Sequence, residues 1–159
     1  MATTVVTPDN DVVTAEIFIA APPARVFAAI TDPSQTAKWW GQKNLYHLTD
    51  SQADIRPGGK WSSKGTSSKM GDIAVHGEFT EVNPPSRLAY TWNSNWMPAV
   101  TKVLWELDSQ RNGTLVKLTH SGFAGDVNQL EGHSWGWGLV FTWLQAFAEK
   151  GETIDGNRS

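Results

Sequence analysis

The dipeptide Asn112-Gly113 separates two runs of residues, 101–108 and 114–120, in which apolar and polar side chains alternate. Asn-Gly favours a tight two-residue turn because both positions tolerate the positive φ angles that such a turn requires. The two runs are therefore predicted to pair as an antiparallel hairpin, with a register set by the turn. The side chains that then share one face are Val103, Trp105, Leu107, Val116, Leu118 and His120.

Alternation with a period of two recurs along most of the chain. Runs at residues 12–20, 44–49, 60–64, 72–82 and 87–92 are predicted strands, separated by turns rich in glycine, proline, serine and asparagine. The apolar residues of one such strand are Leu88, Tyr90 and Trp92. This pattern predicts successive antiparallel strands that form a sheet with one apolar face.

Three helices are predicted around this sheet. The segment ARVFAAI after Pro22-Pro23 has apolar residues at helical spacing, and Asp32-Pro33 begins a second short helix that Gly41 ends. The last periodic segment, residues 133–150, predicts a long amphipathic helix. Asp126 and Gln129 have the spacing of a helix cap, so an earlier start of this helix stays open.

The length of 159 residues corresponds to one domain with a sizeable core. We expect a flexible N-terminus at residues 1–11, a single domain at 12–150 and a polar tail at 151–159. The absence of cysteine excludes a disulfide scaffold, a thiolate metal site and a thiol nucleophile. The net charge of −3 provides no basic surface for nucleic acid.

The first residues lack the basic and apolar segments of a signal peptide, and no apolar run has the length of a membrane span. We therefore expect a cytoplasmic protein without membrane association.

Five strings occur in a specific order along the chain. They are TDPSQTAKWWG at 31–41, RPGGKW at 56–61, GEFTEVNPPSRLAYTW at 77–92, GTLVKLTHSGF at 113–123 and HSWGWGLVFTWLQAF at 133–147. In these strings the chain resembles the bacterial homologues of the activator of heat-shock protein 90 ATPase, within the START/SRPBCC superfamily. The resemblance covers roughly residues 12–150.

The resemblance implies an α+β helix-grip fold. In that fold a curved antiparallel sheet wraps around a long C-terminal helix, two short helices follow the first strand, and a cavity lies between sheet and helix. Members of the superfamily bind or transform unrelated ligands, so the resemblance names no single activity.

Nine tryptophans dominate the aromatic residues of the chain. Strand parity and the helical arc direct many large side chains between sheet and helix, where they form either a filled core or the wall of a cavity for an apolar ligand. Gly136 and Gly138 within the helix favour the cavity. The predicted ligand-binding residues are Trp61, Phe79, Tyr90, Trp92, Trp105, Val116, Leu118, His120, His133, Trp137 and Phe141.

Three residues are candidates for acid–base chemistry. His120 and His133 could move a proton as a pair, or they could be ordinary core or rim histidines. Glu81 shares strand parity with Phe79 and could be a buried general base, or it could pair with Arg87 at the strand end. No spacing of histidines and carboxylates indicates a metal site.

Three hypotheses for function follow. The first is binding of a small apolar or aromatic molecule in the cavity, as a monomer or homodimer and without a cofactor. The second is a cofactor-independent enzyme of cyclase or hydratase type that uses the same pocket. The third, implied by the family name, is a stress-related, cochaperone-like interaction module.

Overall fold

The computed structural model describes residues 2–7 and 11–154, which form a sheet of nine strands and three helices. The strands are β1 (Thr3–Val6), β2 (Val12–Ile19), β3 (Gly41–Gln42), β4 (Tyr46–Ala53), β5 (Lys60–Ser67), β6 (Gly71–Asn83), β7 (Arg87–Ser94), β8 (Met97–Gln110) and β9 (Gly113–Ser121). The helices are α1 (Pro23–Thr31), α2 (Pro33–Trp39) and α3 (Val127–Lys150).

All neighbouring strands pair antiparallel, in the order β1-β2-β9-β8-β7-β6-β5-β4-β3. The hairpin predicted at Asn112-Gly113 is confirmed, because Gln110 pairs with Gly113 and Asn112 has a φ angle of 71°. The predicted shared face is confirmed as well, since Trp105 lies opposite Leu118. This is the helix-grip architecture expected from the strings above.

The register of the sheet shifts at three places, between Leu48 and Asp50, between Phe79 and Glu81, and between Trp92 and Ser94. An extra residue in one strand bends it and moves the following side chains to the other face. At the first two shifts one strand has a single extra residue, so the alternation of faces reverses beyond them. At the third, β8 has two extra residues between Met97 and Thr101, so the alternation is kept.

Helix α3 lies across the sheet and begins at Val127, earlier than position 133. The Asp126 side chain accepts a hydrogen bond from the backbone N–H of Gln129 at 3.2 Å, which is the cap that the sequence left open. Gly151 ends the helix in the left-handed conformation, with a φ angle of 70°. Its buried face includes Leu130, Trp137, Val140, Phe141, Leu144 and Phe147.

The two short helices form as predicted. Asp32 caps α2, since its Oδ1 atom accepts from the backbone N–H of Ser34 at 2.9 Å. The helix ends at Trp39, and the indole N–H of that residue donates to the carbonyl oxygen of Ala29 in α1 at 2.9 Å. The two helices are thereby fastened to each other.

The ends of the chain differ from expectation. Residues Thr3–Val6 are not loose but form the edge strand β1, in which Val6 pairs with Val13 of β2. At the other end, the backbone N–H of Ile154 donates to the backbone carbonyl oxygen of Lys38 at 3.0 Å. Residues 1, 8–10 and 155–159, which belong to the predicted N-terminus and tail, lie outside the described residues. Within the described part, no helix has the length and apolar character to cross a membrane.

The cap of α2 gives a first prediction. Replacing Asp32 with alanine removes the acceptor for Ser34, and we expect a loss of about 1 kcal/mol in the free energy of unfolding. Chemical denaturation measures this loss. Asp72→Ala, at an exposed position, is the matched control and should change stability by less than about 0.5 kcal/mol. Equal effects of the two substitutions would contradict the capping role.

Candidate ligand-binding cavity

A cavity of about 550 Å³ lies between helix α3 and the half of the sheet formed by β4, β5, β6 and β7. The helix closes the other half of the sheet directly, through residues such as Phe141, whose ring stacks on Trp105 at 5.6 Å. The wall of the cavity is mainly apolar. Lys69 is the one formally charged side chain among the described residues that line it.

Six of the predicted ligand-binding residues border this cavity. They are Trp61, Phe79, Tyr90, Trp92, His133 and Trp137. Their rings are in mutual contact: Trp61 lies 5.6 Å from Trp92 between ring centroids, and Trp92 lies 6.1 Å from Trp137. The structure therefore brings these side chains together as one continuous aromatic wall.

The other five predicted lining residues do not border the cavity. They are Trp105, Val116, Leu118, His120 and Phe141, and all are almost completely buried in the closed half of the core. Strand parity places them on the correct face of the sheet. It does not reveal that α3 packs directly on β8 and β9 and leaves no space there.

Glu81 also lies away from the cavity. The register shift after Phe79 breaks the alternation, so Glu81 does not share the inward direction of Phe79. Its side chain is 39% exposed, and its carboxylate accepts from the guanidinium of Arg87 at 2.9 Å. Glu81 therefore forms the ion pair with Arg87, which was the predicted alternative to a role as a general base.

Several lining residues are not among the predicted ligand-binding residues. All tryptophans except Trp39 and Trp105 border the cavity, including Trp40, Trp96, Trp135 and Trp143. Trp96 follows a predicted strand and Trp135 lies off the main apolar arc of the helix, so neither position signals a lining role. Their positions depend on ring contacts in the folded chain, such as that between Trp40 and Trp137, whose ring centroids are 6.1 Å apart.

The glycines of helix α3 divide into two groups. A Cβ atom added at Gly132 or Gly136 would meet nothing within 4 Å, and both residues border the cavity. A Cβ atom at Gly138 would instead lie 3.9 Å from Cγ2 of Thr4 in strand β1. Of the two glycines that favoured a cavity, Gly136 leaves space for one and Gly138 allows close packing on the edge strand.

His120 is held by hydrogen bonds on both ring nitrogens. The indole N–H of Trp137 donates to Nδ1 at 3.0 Å, so the proton of the neutral ring lies on Nε2. Nε2 then donates to the hydroxyl of Thr101 at 2.7 Å, and that hydroxyl donates to the carbonyl oxygen of Trp92 at 3.4 Å. His120 is therefore a structural link between α3 and three strands, with no ring nitrogen left for a substrate.

His133 is held on one side only. Its Nδ1 atom lies 2.7 Å from the carbonyl oxygen of Gln129, and because a carbonyl only accepts, Nδ1 carries the proton. Nε2 is then an acceptor, and it is buried without a hydrogen-bond partner in the described part of the chain. The ring stacks on Trp96 at 6.0 Å and lies 5.1 Å from the ring of His120.

Both histidines are neutral at neutral pH. Burial lowers the pKa of His120 well below its usual 6.5, and the nearby His133 lowers it further. Burial also lowers the pKa of His133, against the opposing influence of the hydrogen bond to Gln129 and the charge of Asp126. His133 is thus ready to accept a hydrogen bond through Nε2.

Two further buried polar atoms of the wall lack partners among the described residues. They are the indole nitrogens of Trp61 and Trp92. The hydroxyl of Tyr90, by contrast, accepts from the indole of Trp105 at 3.0 Å, and burial strongly raises its pKa. The wall therefore presents both a donor and an acceptor within an apolar surface.

The exposed rim of the cavity includes Lys69, Met70 and Trp135. The Lys69 ammonium lies 4.2 Å from the centroid of the Trp135 ring, a cation–π contact between the β5–β6 turn and helix α3. Met70 and Trp135 are both about half exposed. The described residues contain no group of three histidine or carboxylate side chains that could hold a metal ion.

The hydrogen-bond chain through His120 gives a second prediction. His120→Phe keeps an aromatic ring but leaves the Trp137 indole and the Thr101 hydroxyl unpaired, so we expect a loss of about 2–4 kcal/mol in unfolding free energy. Urea denaturation measures it. His47→Phe, at an exposed strand position, is the control and should stay within about 0.5 kcal/mol of the wild type.

The lowered pKa values give a third prediction. Below pH 6.5 the unfolded chain protonates its histidines, while folded His120 and His133 stay neutral until their lower pKa values are reached. Stability is therefore highest above pH 6.5 and falls as the pH drops through this window. Unfolding free energies at about pH 7.5 and about pH 5.5 measure the fall. His133→Phe should reduce it, whereas the exposed His76→Phe should not, and an equal fall in both variants would contradict the assignment.

Solved structures with the same fold come from several bacteria. Protein CV1439 from Chromobacterium violaceum is 24% identical, with a TM-score of 0.79 over 90% of this chain and 99% of that chain. Protein Ms6760 from Mycobacterium smegmatis is 20% identical, with a TM-score of 0.80 over 92% and 96%. Protein NE0264 from Nitrosomonas europaea is 24% identical, with a TM-score of 0.73 over 85% and 92%.

A search among curated proteins found no match. The model of one protein family, described as "Activator of Hsp90 ATPase homolog 1-like protein", matches residues 20–149. This match extends from the end of β2 to the end of α3 and includes every strand and helix that borders the cavity. The chain therefore belongs to the family of activator of Hsp90 ATPase homolog 1-like proteins.

Proposed function

We propose that this protein binds a small apolar or aromatic molecule in the cavity between helix α3 and the sheet. The observation that carries the proposal is an aromatic-walled space of about 550 Å³ with a single formally charged side chain, at its rim, among the described lining residues. Ligand pockets usually have volumes of roughly 300–1,000 Å³ and mainly apolar walls with a few polar groups. The family supports the same class of function at a coarser level.

The glycines of α3 support the proposal further. Glycine within a helix costs about 1 kcal/mol relative to alanine, and Gly132 and Gly136 leave unfilled space rather than a close packing contact. A larger side chain at the partly buried Gly136 would favour the helix and add apolar contacts. Space kept at a cost in stability is what a binding site requires and a filled core does not.

The enzyme hypothesis keeps one candidate residue. His120 has partners on both nitrogens and Glu81 is paired with Arg87, so neither group is free for proton transfer in the cavity. His133 has its Nδ1 proton fixed by Gln129 and a free Nε2 acceptor, which is the arrangement of an oriented general base. A cyclase or hydratase reaction would therefore depend on His133. The cochaperone hypothesis rests on the family description alone.

The fourth prediction tests ligand binding. N-Phenyl-1-naphthylamine, an uncharged fluorescent probe, should bind to the wild type with enhanced emission and quenched tryptophan fluorescence. Gly136→Leu places a side chain in the open space of the cavity, so we expect at least a roughly tenfold loss of affinity without a loss of stability.

Thr142→Leu is the matched control, because it adds a leucine to an exposed position of the same helix. It should keep the affinity of the wild type. Failure of the wild type to bind the probe, or equal affinity of the Gly136 and Thr142 variants, would overturn the proposed site.

A further inference from the structure

The buried polar atoms that lack partners are concentrated on one wall of the cavity. Four such side-chain atoms occur in the described part of the chain, and three of them belong to lining residues: Trp61, Trp92 and His133. A buried donor or acceptor without a partner costs about 1–3 kcal/mol. Their concentration in residues that line one cavity points to a bound molecule that completes hydrogen bonds there.

The chemistry of two neighbouring atoms is defined. His133 Nε2 is an acceptor, because Nδ1 carries the ring proton and donates to Gln129 at 2.7 Å. The indole nitrogen of Trp92 is a donor only. The two rings are 6.4 Å apart between centroids and meet edge to face. A hydroxyl group both donates and accepts, so its chemistry matches the acceptor of His133 and the donor of Trp92.

The scarcity of charged side chains in the described lining favours an uncharged ligand. Lys69 is the one formally charged side chain among the described lining residues, it lies at the rim, and its ammonium contacts the Trp135 ring. The wall around Trp92 and His133 contains no cation for a carboxylate and no carboxylate for an amine. Burial of an unpaired charge there would be far more costly than burial of a neutral hydroxyl.

Building on the proposed function, we propose that the natural ligand is an uncharged ring compound with an alcohol or phenol hydroxyl that donates to His133 Nε2 and accepts from the Trp92 indole. Both protein atoms are shielded from solvent, and both residues border the cavity. Ligand entry therefore includes a small turn of these rings toward the hydroxyl. His133 and Trp92 determine specificity, and the remaining aromatic wall supplies apolar contact.

The fifth prediction compares three probes of the same ring system. Isothermal titration calorimetry at neutral pH is carried out with naphthalene, 2-methoxynaphthalene and 2-naphthol. The methoxy compound offers an acceptor to Trp92 but no donor to His133, and naphthalene offers neither. We expect 2-naphthol to bind roughly tenfold more tightly than 2-methoxynaphthalene.

His133→Phe keeps an aromatic ring but removes the acceptor, so the advantage of 2-naphthol should disappear while naphthalene still binds. His76→Phe changes an exposed histidine outside the cavity and should keep the full advantage. Persistence of the advantage in His133→Phe would overturn the inference. Equal affinities of the wild type for 2-naphthol and 2-methoxynaphthalene would also overturn the inference. Water, rather than a ligand hydroxyl, would then be the hydrogen-bond partner of His133 Nε2.

A measurement on the wild type keeps the inference testable if the variant does not fold. In protein with ¹⁵N-labelled histidine, 2-naphthol should shift the Nε2 resonance of His133 and 2-methoxynaphthalene should not. Identical spectra with both compounds would contradict the hydrogen bond. Absence of binding by all three probes and by N-phenyl-1-naphthylamine is a different result, since it removes the proposed function itself.

Discussion

A chain of hydrogen bonds from Trp137 through His120 and Thr101 to the backbone of Trp92 joins the long helix to three adjacent strands. Apolar packing alone allows a helix to slide or rotate on a sheet, because dispersion contacts have little directionality. Buried hydrogen-bond donors and acceptors must be paired, and here one position of the helix pairs them all. These hydrogen bonds therefore fix the position of the helix. Trp137 and Trp92 also border the cavity, so the same bonds hold two residues of its aromatic wall in place.

The sheet has two structurally different halves because helix α3 packs closely on only one of them. Over β8 and β9 the rings of Trp105 and Phe141 stack and close the space completely. Toward β4–β7 the helix presents Gly132 and Gly136, and the sheet presents aromatic rings across a gap. One side of helix α3 thus packs in the core, and the other side lines the cavity.

Much of the fold can be predicted from the sequence, and particular elements explain why. Asn112-Gly113 specifies both a turn and a register, and Asp32 and Asp126 mark helix starts through local hydrogen bonds. Such signals depend on neighbours in the chain. The strand at Thr3–Val6 was missed because it is short, polar in part, and stabilised by pairing with β2 and contact with α3.

The site is less predictable, because its definition depends on distances between elements. Parity identifies Trp92 and Trp105 as facing inward but cannot tell which of them meets empty space. A register shift turns Glu81 away from the inward direction that strand parity predicts. No residue type near Glu81 indicates that shift. The difference between His120 and His133 depends on whether an indole or a backbone carbonyl lies at the correct distance. Only the folded chain provides that information.

The edge position of strand β1 has a practical consequence. In the strand order it lies at the far end from β3, beyond β2, β9 and β8, and none of its residues borders the cavity. A surface anchor or reporter group attached near Thr3 is therefore separated from the cavity by the closed half of the sheet. Attachment at this edge leaves Lys69 and Trp135 at the rim unmodified.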